Sequence, residues 1–440
     1  PSTGKILTEN GGLWQPAMDL EFTAYAWSSG TKGAVRGPVV KLPTSEEEYN
    51  AVKSKLKGSW IMLSTPEGTG QQRAGVMGAR YQSNIDVRRK VKEGNIDPAT
   101  LPVDERILYD GINGFISPTR ELVITSSVRG WRKLDPNDIG PDVCIAIRKA
   151  HYEDIDKRLS AGESFQLEFN LEHTFTPGPI PCYNTIAEIP GTTWPNQVVV
   201  VSGHLDSWDG PGSEGCTDNG TGTATTMEAA RILMAAGAKP KRTIRFIDWT
   251  GEEQGLLGSA AYVDKHKDQL IAGVSACLVD DGGTNYNGGM PAAEQMIPML
   301  AAASAPVNNV FYSETDKKFL NVNIRNTGAK IATHGQSDHA SFNRIGVPGF
   351  FWDETGRANY THTHHTQHDK LDQAIPEYLV QSATSTAVIA YNLACADELL
   401  PRVVPETKPE ANQQVAAAPP SQPAKNAVVP AKKRAKAVLP

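Results

Sequence analysis

Residues 197–206 read Gln197-Val198-Val199-Val200-Val201-Ser202-Gly203-His204-Leu205-Asp206, four consecutive valines running into a histidine and a carboxylate. A short continuous apolar run that ends at glycine is the pattern of a strand buried on both faces. Three more such runs follow, Thr243 to Trp249, Val274 to Val279 and Val347 to Trp352. Helical patterns lie between or after them: Asn219 to Ala236, with Ala224, Met227, Ala230 and Leu233 at steps of three, and Pro376 to Ala394. This alternation predicts an α/β unit, a mixed and mainly parallel sheet sandwiched by helices, from about Ser164 to Cys395.

Ligands of open α/β sheets gather at the carboxyl ends of the strands, and the polar residues cluster there. The i, i+2 spacing of His204 and Asp206 puts both on one face of an extended segment, where Asp206 could fix the imidazole tautomer. Alone, His-x-Asp is a weak signal. Asp218 stands in a Gly-rich turn before a helix and reads equally as an N-cap or a metal ligand. Glu252 and Glu253 follow the second strand, where a helical segment is expected to begin. Adjacent helix residues point about 100° apart, so one carboxylate could bind metal while its neighbour takes a proton from water. Two solvated glutamates favoured by a helix dipole are the bland alternative. The third strand ends in Asp280-Asp281, and six of the ten histidines, among them His362, His364, His365 and His368, fall between His334 and His368. Taken together, three strand ends and a His-rich loop point to metal. Three carboxylates and a hydroxide would balance two divalent ions beside neutral His204 and His365, and N and O donors suit zinc.

Five motifs occur in order: Ser202-Gly203-His204-Leu205-Asp206-Ser207, Thr217-Asp218-Asn219-Gly220, Thr250-Gly251-Glu252-Glu253-Gln254-Gly255, Asp280-Asp281-Gly282, and His365-Thr366-Gln367-His368-Asp369. On these the chain resembles the zinc aminopeptidase and glutamate carboxypeptidase family. Within it, Trp208-Asp209 after the first motif and the paired His364-His365 resemble the carboxypeptidase Q-like branch. The resemblance implies two Zn2+ per chain, one on His204 and Asp281, the other on Glu253 and His365, with Asp218 bridging and Glu252 as general base. It also implies that Ser337-Asp338-His339 lies near the substrate pocket. His364 stands where several relatives carry a tyrosine that donates to the oxyanion. The implied reaction is hydrolysis of terminal peptide bonds in dipeptides or short peptides, with the recognised end left open. A homodimer and a secreted or periplasmic location are compatible with it. Two rivals are a metal-free receptor or binding protein of the same fold and a one-zinc glutaminyl cyclase.

The 440 residues exceed one small core and suggest several units. Hydrophobic content of 39% and charged content of 21% are ordinary for a globular chain. No apolar stretch approaches the roughly 20 residues of a spanning helix, and a net charge of −6 gives no reason to expect nucleic acid. The expected division places 1–18 at the edge of the peptidase domain and 19–140 in a largely β module resembling an inserted protease-associated domain. It makes 141–163 a connecting segment and 164–402 the peptidase domain. The module contains β-type runs Val35 to Leu42 and Ser59 to Leu63 and a helix Ser45 to Leu56. Residues 403–440, rich in Pro, Ala and Lys, read as a disordered tail. The five scattered cysteines read as buried thiols.

Overall fold

The computed structural model describes residues 2–63, 70–119, 137, 139–176, 178–208, 212–331 and 335–402. The tail at 403–440, Asp209 and His334 lie outside the described residues.

The valine run forms the centre of the strand Trp194–His204. Its side chains alternate between two cores: Val199 and Val201 pack with Ala229, Leu233, Ile389 and Leu393, and Val198 and Val200 pack with Tyr262, Val263, Leu270 and Phe342. Each fully buried Val contributes about 1.5–3 kcal/mol, which is why the run carries no polar residue until Ser202. Helices Thr221–Ala235 and Pro376–Cys395 therefore cover one face, and Leu257–Gly273 and the short His339–Asn343 cover the other.

Five strands make this sheet, in the spatial order Thr185–Ile189, Arg242–Trp249, Trp194–His204, Val274–Val279, Gly349–Phe351. The first pairs antiparallel with its neighbour and the rest are parallel. The expected mixed, mainly parallel sandwich is present. Its first helix, however, buries a different stripe from the one the apolar spacing suggested. Thr225, Thr226, Ala229 and Leu233 face inward, whereas Met227 is 61% exposed and Ala224 is also exposed. Small residues win that face because the helix start lies close against the sheet. A Cβ on Gly222 would fall 2.1 Å from the carbonyl oxygen of Asp280.

The N-terminal lobe differs from the expected largely β module. A five-stranded sheet runs Phe22–Ala24, Cys144–Ile147, Gly114–Pro118, Trp60–Met62, Val39–Lys41, parallel after its first pair. The 23-residue helix Gly70–Lys92 packs on it through Met77, Tyr81 and Ile85 at steps of four. A second, antiparallel sheet joins Leu13–Asp19, Thr3–Asn10, Phe165–Asn170 and Val35–Gly37. Residues 1–18 thus pair within this lobe and not at the edge of the peptidase sheet. The segment 141–163 holds a central strand and the helix Lys149–Ser160, so it is more than a connection. Phe165, Leu167 and Phe169 point into the lobe's core, which moves the start of the peptidase lobe beyond 170.

Among the described residues no helix is long and apolar enough to cross a membrane. Cys144 and Cys277 are buried thiols as expected, but Cys182 is exposed.

Candidate active site

Three neighbouring strands of the central sheet deliver polar residues to one end. His204 closes the central strand, Asp280-Asp281 follow Val274–Val279, and the turn 250–256 follows Arg242–Trp249. Glu252 and Glu253 sit in this turn and not on a helix, because the helix begins only at Leu257. Three residues with positive φ, Gly251 (+65°), Gly255 (+99°) and Leu256 (+60°), fold the turn back on itself.

Asp206 holds the turn. Its Oδ1 accepts from the Glu252 amide at 3.0 Å and its Oδ2 from the Glu253 amide at 3.2 Å. This revises its expected role: the acceptor facing His204 Nδ1 is the main-chain carbonyl of Asp206, at 2.7 Å, with the carboxylate 3.8 Å away. The i, i+2 geometry was right about proximity and wrong about which oxygen serves.

Asp218 lies at the centre of the cluster. His204 Nε2 is 3.4 Å from its Oδ1 and 2.9 Å from Asp281 Oδ1. On the other side, His365 Nε2 is 3.2 Å from Asp218 Oδ2 and 3.0 Å from Glu253 Oε2. Glu252 Oε2 stands 3.9 Å from His204 Nε2. Asp218 is not an N-cap; Gly220 caps the following helix without a side-chain bond. His365 reaches the cluster from a left-handed backbone (φ +57°), a conformation that costs a non-glycine residue free energy.

Asp369, quoted in the last motif but given no role there, accepts from the amides of Thr217 (2.5 Å) and Asp218 (3.1 Å). The loop that supplies His365 therefore also fixes the segment that carries Asp218. Asn219 Nδ2 ties the same segment to the Asp280 carbonyl at 2.8 Å.

Electrostatically the side chains alone are unbalanced. Burial first, then Asp281, pushes Glu252 up to about 9, and burial pushes Glu253 up to about 7. Burial would lower His365, but its bonds to Asp218 and Glu253 outweigh that and raise it to about 10. Burial also opposes ionisation of Asp218, yet His204 and His365 hold it well below the carboxylate range. Glu253 Oε1 is buried without a hydrogen-bond partner among the described residues, and Asp218 Oδ2 faces only His365 and His364. Donor atoms of His204, Asp218 and Asp281, and those of Asp218, His364 and His365, lie within 4.8 Å of one another in each group. Buried lone pairs facing each other in this way fit divalent cations.

The remaining expected residues divide. Asp338 is fully buried, its carbonyl accepts from the Ser341 amide at 3.1 Å, and its carboxylate is raised to about 7 by burial against the opposing effect of Ser259, with His204, Asp281 and Asp206 as charged neighbours. Ser337 is buried beside Asp281. His339 turns away, its ring against Phe351 at 5.5 Å, and burial lowers it to about 4. His364 stacks on His365 at 3.8 Å with its side chain 46% exposed, and its Nε2 is 3.9 Å from Asp218 Oδ2.

Tyr360 escaped the sequence reading. Its ring lies 5.0 Å from that of His364 and packs over Gly283, where a Cβ would come within 2.6 Å of it. Its hydroxyl is pushed well above the usual range by burial and then by Asp218, Asp281, Glu354 and Glu253. The available signal was its i, i+4 spacing to His364, which places the two on one face of a helical turn.

Fold and site together define an α/β sandwich with an imidazole–carboxylate cluster that could hold divalent metal at the carboxyl ends of its strands. Residues 184–389 match Peptidase family M28, and the resemblance drawn from the motifs is borne out over that segment. Carboxypeptidase Q of Xenopus laevis is 30% identical over 292 residues, 66% of this chain and 58% of that protein. This chain thus spans little more than half the length of the curated relatives it matches. Among solved structures, an M28 peptidase precursor from Shewanella amazonensis superposes with a TM-score of 0.60 at 22% identity, over 92% of this chain and 83% of that one. BSAP, a zinc aminopeptidase from Bacillus subtilis, gives 0.53 at 18% identity, over 92% and 88%. These two likenesses establish the fold.

Proposed function

We propose that the protein is a two-zinc metalloexopeptidase acting on dipeptides or short peptides. The observation that carries this reading is the division of donor atoms around Asp218, with His204 and Asp281 beside Oδ1 and His365 and Glu253 beside Oδ2. Its relatives include a carboxypeptidase Q and its structural neighbours a zinc aminopeptidase, which supports peptide hydrolysis and leaves open which end is recognised. Zinc, when bound there, would polarise the peptide carbonyl and lower the pKa of water toward about 7.

The chain's own residues supply the rest. Glu252, close to His204 and outside both donor pairs, takes the proton from the attacking water and passes it to the leaving amine, an effect typically worth about 10²–10⁴ in rate. Asp206 fixes the Glu252-Glu253 turn, and Asp369 fixes Asp218. Tyr360, in place of the expected His364, is the oxyanion donor we favour, since its buried ring lies 5.0 Å from that of His364, whose Nε2 is 3.9 Å from Asp218 Oδ2. The N-terminal lobe, expected to be protease-associated-like, would form one wall of the substrate cleft, because Gln367 of the His-rich loop hydrogen-bonds Glu21 at 3.4 Å.

Dipeptides with each terminus blocked in turn, assayed with zinc and with chelator, test the proposal. Zinc-dependent cleavage that requires one free terminus is the expected result. Hydrolysis unaffected by chelator would exclude it, and a single zinc with cyclisation of N-terminal glutamine would favour the cyclase.

A further inference from the structure

The turn that carries Glu252 and Glu253 is closed at its base by the Gly258 amide donating to the Thr250 carbonyl and the Leu257 amide to the Gly251 carbonyl, both at 2.9 Å. A second brace crosses the same base from the neighbouring strand. Asn184 Oδ1 accepts from the Thr250 amide at 3.2 Å, and Asn184 Nδ2 donates to the Gly258 carbonyl at 3.0 Å. Main-chain pairing of Thr185–Ile189 with Arg242–Trp249 ends at Thr185 opposite Asp248, so the Asn184 side chain takes over where the turn begins. The approach is close, since a Cβ on Gly258 would fall 2.3 Å from Asn184 Oδ1. Upstream, the chain leaves the core of the N-terminal lobe at Leu171, and 174–176 and 178–183 are exposed. Asn184 is half-buried, so the connection between the lobes is anchored at the residue that braces the turn.

We propose that Asn184 is a positioning residue that holds Glu252 and Glu253 in place for proton transfer and metal binding. The roles of the two glutamates rest on the exopeptidase reading, whereas the brace itself does not. Asp206 grips the amides of Glu252 and Glu253; Asn184 fixes the two ends of the segment between which they hang. A carboxamide suits both ends because it offers an acceptor and a donor together, and a carboxylate would meet the Gly258 carbonyl with a second acceptor. Loosening the base lets the Glu252 carboxylate drift while the turn stays folded, and a misplaced base lowers turnover more than substrate binding.

Asn184→Ala, Asn184→Asp and, as a control on the same exposed strand end, Thr185→Ala are compared with the parent protein for amide hydrogen exchange and for kcat and KM on a dipeptide. Asn184→Ala removes two neutral hydrogen bonds, so exchange at Glu252 and Glu253 should speed up by ~10- to 30-fold. Turnover should fall by ~10-fold with KM within about twofold of the parent's. Asn184→Asp keeps the acceptor for Thr250 and loses the donor to Gly258, and it should recover part of both losses. Thr185→Ala should change neither. Unchanged exchange at the two amides, the same acceleration in Thr185→Ala, no recovery in Asn184→Asp, or a raised KM at unchanged kcat would overturn the positioning role. If the parent cleaves no dipeptide, the exopeptidase reading fails on its own and exchange still decides the brace: acceleration confined to the turn supports it, and acceleration spread over the whole sheet overturns it.

Discussion

Asp206→Asn separates two physical roles for one carboxylate. If Asp206 anchors the Glu252-Glu253 turn, the substitution removes a charge-assisted bond from one amide and presents it with an N–H in place of an oxygen, while the other amide keeps a neutral acceptor. Bonds to charged groups are worth about 1.5–3 kcal/mol each and neutral ones about 1. The side chain is 21% exposed, so water takes up part of the loss, and a net cost of about 2–3 kcal/mol to the turn follows. Opening of the turn should become more frequent, and exchange of the Glu252 and Glu253 amides should speed up by ~30- to 150-fold. His204 keeps its acceptor, the Asp206 main-chain carbonyl at 2.7 Å, so its share of the bound metal should persist while turnover falls. Hydrogen exchange at those two amides and zinc content on one preparation decide the matter. Unchanged amide protection together with loss of zinc would show that the carboxylate acts on His204 instead.

Asp218→Ala should remove both metals together, since its two oxygens face different donor pairs; elemental analysis showing one zinc retained would end the bridging role. Tyr360→Phe should keep zinc and melting temperature but lower kcat by ~10²-fold, as loss of one oxyanion donor does, and unchanged kcat would return that role to His364. Zinc binding must displace the protons that His365 holds up to about 10 and Glu253 up to about 7. Affinity should therefore rise with pH, with protons released on titration. Affinity that stays flat between about pH 6 and 8 would contradict the ligand set.

What the sequence disclosed follows its physics. The valine run reads as a buried strand, and the ends of such strands are where polar residues converge, so His204, the Glu252-Glu253 pair and Asp280-Asp281 were legible as a group, whereas the choice of Glu253, Asp218 and His365 as ligands came from the motif resemblance. Asp206 was placed correctly but its carboxylate was not, because spacing fixes the face of a strand and not the competition between two acceptors. The Glu252-Glu253 turn was read as helix since nothing local announced that Gly251 and Leu256 would take left-handed backbones. The N-terminal lobe was least legible: Met77, Tyr81 and Ile85 make a thin stripe in an otherwise polar helix, and the pairing of Thr3–Asn10 with Phe165–Asn170 spans about 160 residues of chain that no local pattern reports. Tyr360 was hidden because its position beside His364 depends on the fold of the loop and on the gap over Gly283.

The central claim, that Glu252 moves the proton while Glu253 holds metal, is tested most directly by zinc occupancy and turnover measured side by side for Glu252→Gln and Glu253→Gln. Glu252→Gln keeps the size of the side chain and should retain zinc while turnover falls by roughly 10² or more. Glu253→Gln should lose zinc from the site it shares with His365 before the chemistry is affected. Loss of zinc from Glu252→Gln with full occupancy in Glu253→Gln would reverse the two assignments.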